Sequence, residues 1–167
     1  LYKLYYAYLA SQDLDAGILK HDEEVLAGKT LETCLDRMLR SSDSPCGEGL
    51  LARYGYDEAT ARLHALGLTD TNTAAFQTIA SDMALLLARL HQGTDLSPGA
   101  RTPLLAAMAD QVDARGLRDG FADLPVADKV GYSDNDWHDG GIVYPRPDQP
   151  LVVAVLTRGQ GSAGVRR

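Results

Sequence analysis

What the chain lacks narrows the reading first. No cluster of Lys and Arg interrupts its 167 residues, and the formal charge is −7. The basic footprint that phosphate binding needs is missing, which argues for no nucleic-acid partner and against an anionic membrane surface. No apolar run approaches the roughly 20 residues that span a bilayer. The longest, such as LVVAVL from Leu151, are far shorter, so no transmembrane segment is expected. His21, His64, His91 and His138 are scattered without metal-ligand spacing, and neither a metal nor a cofactor is expected. There is no internal repeat and no low-complexity linker. The first helical stretch, LYKLYYAYLA from Leu1, has no Met and no Ser, Thr, Asp or Asn cap ahead of it. An uncapped first turn leaves backbone N–H groups unsatisfied, so the expectation is either a frayed end or a cap supplied from upstream.

What is present is ordinary globular material. With 45% hydrophobic and 23% charged residues, the chain is long enough to bury a core. Helical signals fill the first two thirds. Apolar residues recur at helical spacing over 2–16 and 30–40. Ser44 reads as a cap followed by Pro45 at the first helical position, starting a helix to about Tyr54. Asp57 reads as the cap of the next, which ends at Gly67. A strongly apolar helix over 79–91 closes at Gly93, and Ser97-Pro98 opens another through about Asp110. From Leu124 onward, β-rich runs over 124–132, 141–144 and 151–158 alternate with Asp, Asn, Gly and Pro turns. They predict a three-stranded antiparallel meander, hence an α+β fold with a helical region packed on a small antiparallel sheet. Residues 69–78 form the longest irregular segment and read as a functional loop. Tyr2, Tyr5, Tyr6 and Tyr8 wrap around the first helix and read as core and interface packing.

Three short motifs stand in order on this map: YK at Tyr2-Lys3, SSDSPC at Ser41–Cys46 and DKVGY at Asp128–Tyr132. Each alone has a bland reading, as a surface lysine, a helix cap and a lysine before a turn. Together they resemble the S-x-x-K, S-D-N and K-T-G triplet of penicillin-binding proteins and class A β-lactamases. The resemblance extends over most of the chain. TLETCLDRMLRSSDSPCGEGLL is similar to the helix, S-D-N turn and following helix of that superfamily, TIASDMALLLARL to the helix after its active-site loop, and LPVADKVGYSDNDWHDGGIVYPRPDQPLVVAVLTRG to its closing strands.

The resemblance implies a serine acyl hydrolase acting through an acyl-enzyme on the amide bonds of small-molecule or peptide substrates, secreted or held in the cell envelope. It implies one domain over 1–167 without the family's first two strands and last helix, so that a second chain or segment would complete the sheet. If Lys3 is the lysine of S-x-x-K, the serine nucleophile precedes Leu1. Ser42 would shuttle a proton to the leaving nitrogen, and Lys129 would hold Ser42 and an anionic substrate group. The N–H of Tyr132 would form half of an oxyanion hole, and Ser44, Val130 and Gly131 would line the substrate site. The departures are specific. Ser44 stands where the family has Asn, and Val130 replaces the Thr of K-T-G, removing a hydroxyl that would bind a carboxylate. No Glu lies in 69–78 to activate a deacylating water, Asp70 being the only carboxylate there. The alternative is a non-catalytic domain of the same fold that binds a peptide, a peptidoglycan-like ligand or a partner protein. Cys34 and Cys46 flank the Ser42 turn twelve positions apart. Two buried thiols are the plainer expectation, while the envelope location implied by the resemblance favours a bridge.

Overall fold

A computed structural model describes residues 1–133 and 135–160. Among these residues, seven helices and five strands follow in chain order: α1 Tyr2–Asp15, β1 Glu24–Leu26, β2 Lys29–Thr30, α2 Leu31–Arg40, α3 Ser44–Tyr54, α4 Tyr56–Ala65, α5 Ala80–Gln92, α6 Pro98–Ala109, α7 Leu117–Gly120, β3 Val126–Ser133, β4 Asp136–Val143 and β5 Leu151–Leu156. The expected α+β architecture is present. β3, β4 and β5 form an antiparallel sheet in that order, with β3 and β5 outermost among the described residues.

α1 is apolar nearly all round, and an all-round apolar helix has to be central. Every residue from Leu4 to Ala10 is buried, and α2, α3, α4 and α6 surround the helix. Two of its polar side chains find inward partners: Tyr8 Oη donates to Asp95 at 2.7 Å, and Asp13 accepts from Arg62 and from Tyr54 Oη. Alternation along the strands sorts the sheet into two faces. Ala127 and Ile142 join the helical core, while Val126 and Val143 pack with Leu117 of α7 on the other side. α6 lies against β3, and α5 against β4 and β5. Arg118 joins the layers: its guanidinium donates to Asp128 of β3 at 2.7 Å, to the Met108 and Ala109 carbonyls ending α6, and to the Val126 carbonyl.

Several local expectations need correction. α3 is capped by Asp43, whose Oδ1 accepts from Cys46 N at 3.0 Å, so Ser44 and Pro45 are the first two helical residues. α4 starts at Tyr56 behind Gly55, with Asp57 inside its first turn and no side-chain cap. The middle strand begins at Asp136 and not at Gly141. Its two glycines are sites of close approach within an extended strand: a Cβ on Gly140 would meet Met83, and one on Gly141 would meet the Asp128 backbone. His138 and Asp139 are therefore strand residues. The hairpin β1–β2, turned at Gly28 with φ 75°, and the short helix α7 are additional elements. The two cysteines form a disulfide, Cys34–Cys46, tying α2 to the first turn of α3.

Candidate active site

The turn between α2 and α3 carries Ser42 in a left-handed conformation, φ 57°, which a residue with a Cβ adopts only when its surroundings impose it. Two lysines impose it here. Lys3, on the first turn of α1, donates from Nζ to the Ser42 carbonyl at 2.5 Å and to Ser44 Oγ at 3.2 Å. Lys129, in mid-β3 on the face covered by the helices, donates to Ser42 Oγ at 2.5 Å and to the Val130 carbonyl at 2.6 Å. Asp43 braces the same turn from behind, accepting from Lys29 Nζ at 3.0 Å and from Arg37 Nε at 3.1 Å. The Cys46 N–H, and then Lys29, hold its carboxyl below the usual carboxylate range.

These groups enclose a cavity of about 210 Å³. Lys3, Ser42, Ser44, Lys129, Val130, Gly131 and Tyr132, the seven residues singled out in the sequence, all line it, together with Leu1 and Tyr2. Two glycines make the convergence possible. A Cβ on Gly131 would run into the Leu1 backbone, and one on Gly47 would press on the Lys3 side chain and Tyr2 Oη. Gly47 was not singled out in the sequence; a small residue one turn into a helix is the only sign it carries. Val130 turns to the opposite face of the sheet, where it packs with Trp137 and Val155.

Burial sets the electrostatics. Lys129 is 1% exposed, and desolvation followed by repulsion from Lys3 brings its ammonium down to about 8, against the pull of Asp128, Asp139 and Asp113. Desolvation also lowers Lys3, opposed by Asp43 and Glu48. On the far face, burial pushes the carboxyls of Asp128 and Asp139 upward, and Asp128 adds to the rise of Asp139. Asp139 accepts from the Leu117 N–H at 2.7 Å, and Gly116, φ 86°, leaves room for it.

Beyond Leu1, Tyr2 and Tyr132 the cavity continues into a chamber of about 760 Å³ between the 69–78 loop and the ends of the strands. The loop is tied down by a bridge between Asn72 and Gln77, by Thr71 Oγ1 donating to Asp82, and by the Tyr5 and Thr78 hydroxyls at 2.7 Å. It presents no Glu, and its single carboxylate, Asp70, is exposed. His138 lines the chamber from β4, a placement the turn-like Asp-Gly-Gly after it conceals in the sequence. Among the described residues, no group of three His, Cys, Asp or Glu side chains is arranged to hold a metal, and no helix is long and apolar enough to cross a membrane.

A helical layer on an antiparallel sheet, with lysines from α1 and β3 meeting at a serine turn, defines the β-lactamase class of fold. The chain belongs to the beta-lactamase enzyme family, whose model matches residues 6–164. Solved structures agree on the fold. A β-lactamase from Xanthomonas campestris pv. campestris superposes with a TM-score of 0.84 at 22% identity, covering 99% of this chain and 78% of its own. One from Burkholderia vietnamiensis gives 0.88 at 23%, covering 99% and 77%. A variant of the class A β-lactamase of the last common ancestor of Gram-negative bacteria gives 0.87 at 23%, again covering 99% and 77%. No curated protein matches the chain.

Proposed function

We propose that the chain carries the lysines and the proton-relay serine of a serine acyl hydrolase, acting through an acyl-enzyme on amide bonds in β-lactam or peptide-like substrates, with its nucleophile immediately before Leu1. The observation that carries the reading is the seating of Ser42 between Lys3 and Lys129, which lie 39 and 87 positions from it in sequence. Acyl transfer needs a base for the serine proton, donors for the oxyanion and an acid for the leaving nitrogen. Lys3, one helical turn from the proposed serine and reduced in proton affinity by burial, serves as the base. Ser42 Oγ relays the proton to the leaving nitrogen, and Lys129 holds that hydroxyl and stabilises negative charge on the substrate. β3 is outermost in the sheet among the described residues, so alternate backbone N–H groups are free of β4, and that of Tyr132 is the proposed oxyanion donor. We extend the proposal to a secreted or cell-envelope location, supported by the Cys34–Cys46 bridge, since disulfides persist in oxidising compartments.

A second reading, a non-catalytic domain that binds a peptide, a peptidoglycan-like ligand or a partner protein, is favoured by Val130 and by the loop without Glu. Covalent labelling separates the two. Residues 1–167 alone should resist both a penicillin and a fluorophosphonate. The same chain preceded by a segment ending in Ser should label, and Lys3→Met should abolish that labelling. Stoichiometric labelling of 1–167 alone would overturn the nucleophile assignment. A folded, Ser-preceded protein that fails to label would support the binding-domain reading.

A further inference from the structure

The Ser42 turn is gripped from two sides. On the cleft side, Lys3 Nζ donates to the Ser42 carbonyl and to Ser44 Oγ, in the residues on either side of Asp43. Behind the turn the Asp43 carboxylate is fully engaged: Oδ1 caps α3 at Cys46 N, and Oδ2 takes Lys29 Nζ at 3.0 Å and Arg37 Nε at 3.1 Å. One carboxylate therefore stands between the lysine of α1 and two cations that offset its charge. That balance matters for the chemistry. The Asp43 side chain is 9% exposed, so water screens its field poorly, and the field favours the ammonium form of Lys3. An ammonium cannot accept a proton. Unopposed, Asp43 would hold Lys3 in the form that acyl transfer cannot use.

Of the two cations, Lys29 is the better placed. Its side chain is 23% exposed and that of Arg37 51%, and a more exposed charge is more fully screened. The backbone of Lys29 is fixed from both ends. It pairs with Leu26 across the β1–β2 hairpin, and it precedes Thr30, whose Oγ1 caps α2 by accepting from Thr33 N at 3.3 Å. The hairpin in turn is seated closely on α3. A Cβ on Gly49 would come within 2.8 Å of Val25 Cγ1, and Arg53 of α3 pairs with Glu23 at 2.7 Å. The hairpin thus delivers one ammonium to the back of the turn from a fixed position.

We propose that Lys29 is a positioning residue for the candidate active site, acting through Asp43: it locks the Ser42 turn from behind and offsets enough of the Asp43 charge to leave Lys3 able to work as a base. The base role rests on the acyl-transfer reading, whereas the electrostatic relation of Lys29, Asp43 and Lys3 does not. The other groups that face Lys3 are Glu48 of α3, whose charge favours the ammonium, Lys129 of β3 and the α-amino group of Leu1, which Lys3 repels, and the Tyr2 ring, 5.7 Å from Nζ. All of these are common to the variants compared below, so differences between variants report on Lys29, Arg37 and Asp43.

An NMR titration of the Lys3 side chain in residues 1–167 tests the proposal. Lys29→Met should raise the Lys3 midpoint by about one pH unit, as a nearby carboxylate left uncompensated does, and Lys29→Arg should return it. Arg37→Gln should move it less than Lys29→Met. Asp43→Asn, which keeps a cap that accepts from Cys46 N, should lower the midpoint, and adding Lys29→Met in that background should change nothing further. In the Ser-preceded protein, Lys29→Met should move the pH midpoint of the penicillin-labelling rate upward, leaving the rate about tenfold lower on the acid side. A merely structural role would instead lower Tm and slow labelling equally at every pH. An unchanged Lys3 midpoint in Lys29→Met overturns the proposal, and so does a shift that persists in the Asp43→Asn background. If Lys29→Met does not fold, Asp43→Asn alone decides, because an unmoved midpoint there would mean that Asp43 exerts no field on Lys3. A Lys3 titration that follows the expected pattern, in a chain whose Ser-preceded form never labels, upholds the proposed relation and counts against acyl transfer alone.

Discussion

At Ser42 two demands meet in one residue. Its backbone is left-handed, φ 57°, and its hydroxyl accepts from Lys129. Ser42→Ala and Ser42→Gly remove the hydroxyl equally, but only glycine relieves the conformation. The Gly variant should be more stable than the Ala variant by about 1 kcal/mol in urea titrations; equal midpoints would show that the turn is unstrained. Lys129 gives a pH signature. Its folded pKa of about 8 lies below the model-peptide value of 10.5, so between those values the unfolded chain holds more protons than the folded one. Stability attributable to Lys129 is therefore lowest below pH 8 and rises as pH climbs toward 10.5. The stability of the unmodified protein relative to Lys129→Met should increase across that window by about 1 kcal/mol per pH unit, the difference cancelling other titrations. A flat difference would mean that the ammonium is well solvated. The meeting of Lys3, Ser42 and Lys129 was legible in the sequence through the order and context of their motifs. The cap at Asp43 was not: Ser-Asp-Ser offers three capping side chains in a row, and only the grip of Lys29 and Arg37 on Asp43 selects among them.

Among elements, the α2–α3 corner is held most firmly. The Cys34–Cys46 bridge closes a loop with a separation of 12 residues, and both cysteines are fully buried. The loop-entropy relation gives about 3 kcal/mol for a closure of this size. Cys34→Ala/Cys46→Ala should lose about that much in a denaturant titration, and the unmodified protein should be insensitive to dithiothreitol until it unfolds, since no reductant reaches a buried bridge. Bridging did not follow from spacing, because twelve residues between two cysteines fix no geometry; α2 and α3 folding back across the Ser42 turn bring the Cα atoms to 5.0 Å. β4 is longer than its apolar run at 141–144 for a related reason. Asp-Gly-Gly is turn chemistry locally, and what makes it strand is the lack of room for side chains beneath Met83 and beside Asp128. The β1–β2 hairpin and α7 are too short to carry periodicity, whereas the apolar spacing of α1, α2, α5 and α6 placed each within a few residues of its observed bounds.

Over the whole molecule, the cleft between the helices and β3 gathers Lys3 and Lys129 at Ser42, and its 69–78 loop carries no Glu, which on the proposed acyl-transfer reading would activate the deacylating water. A Ser-preceded protein should therefore acylate faster than it deacylates. Loss of general-base help is worth about 10²–10⁴ in rate, so a penicillin should give an early burst followed by slow turnover, with the acyl-enzyme visible by intact mass for minutes. Sustained rapid hydrolysis would mean that some other group activates the water. The two layers that form this cleft also share a fastening, Arg118, whose guanidinium serves the last carbonyls of α6 and the start of β3 at once. Amides in the last turn of α6 and in β3 should then exchange with deuterium through a common opening, with one protection free energy and one denaturant dependence. Arg118→Lys, which cannot reach all four acceptors, should split them into two populations. The rim of the helical layer would then breathe alone, and Lys129, three residues beyond Val126, would sit on a strand whose motions no longer report on the helices.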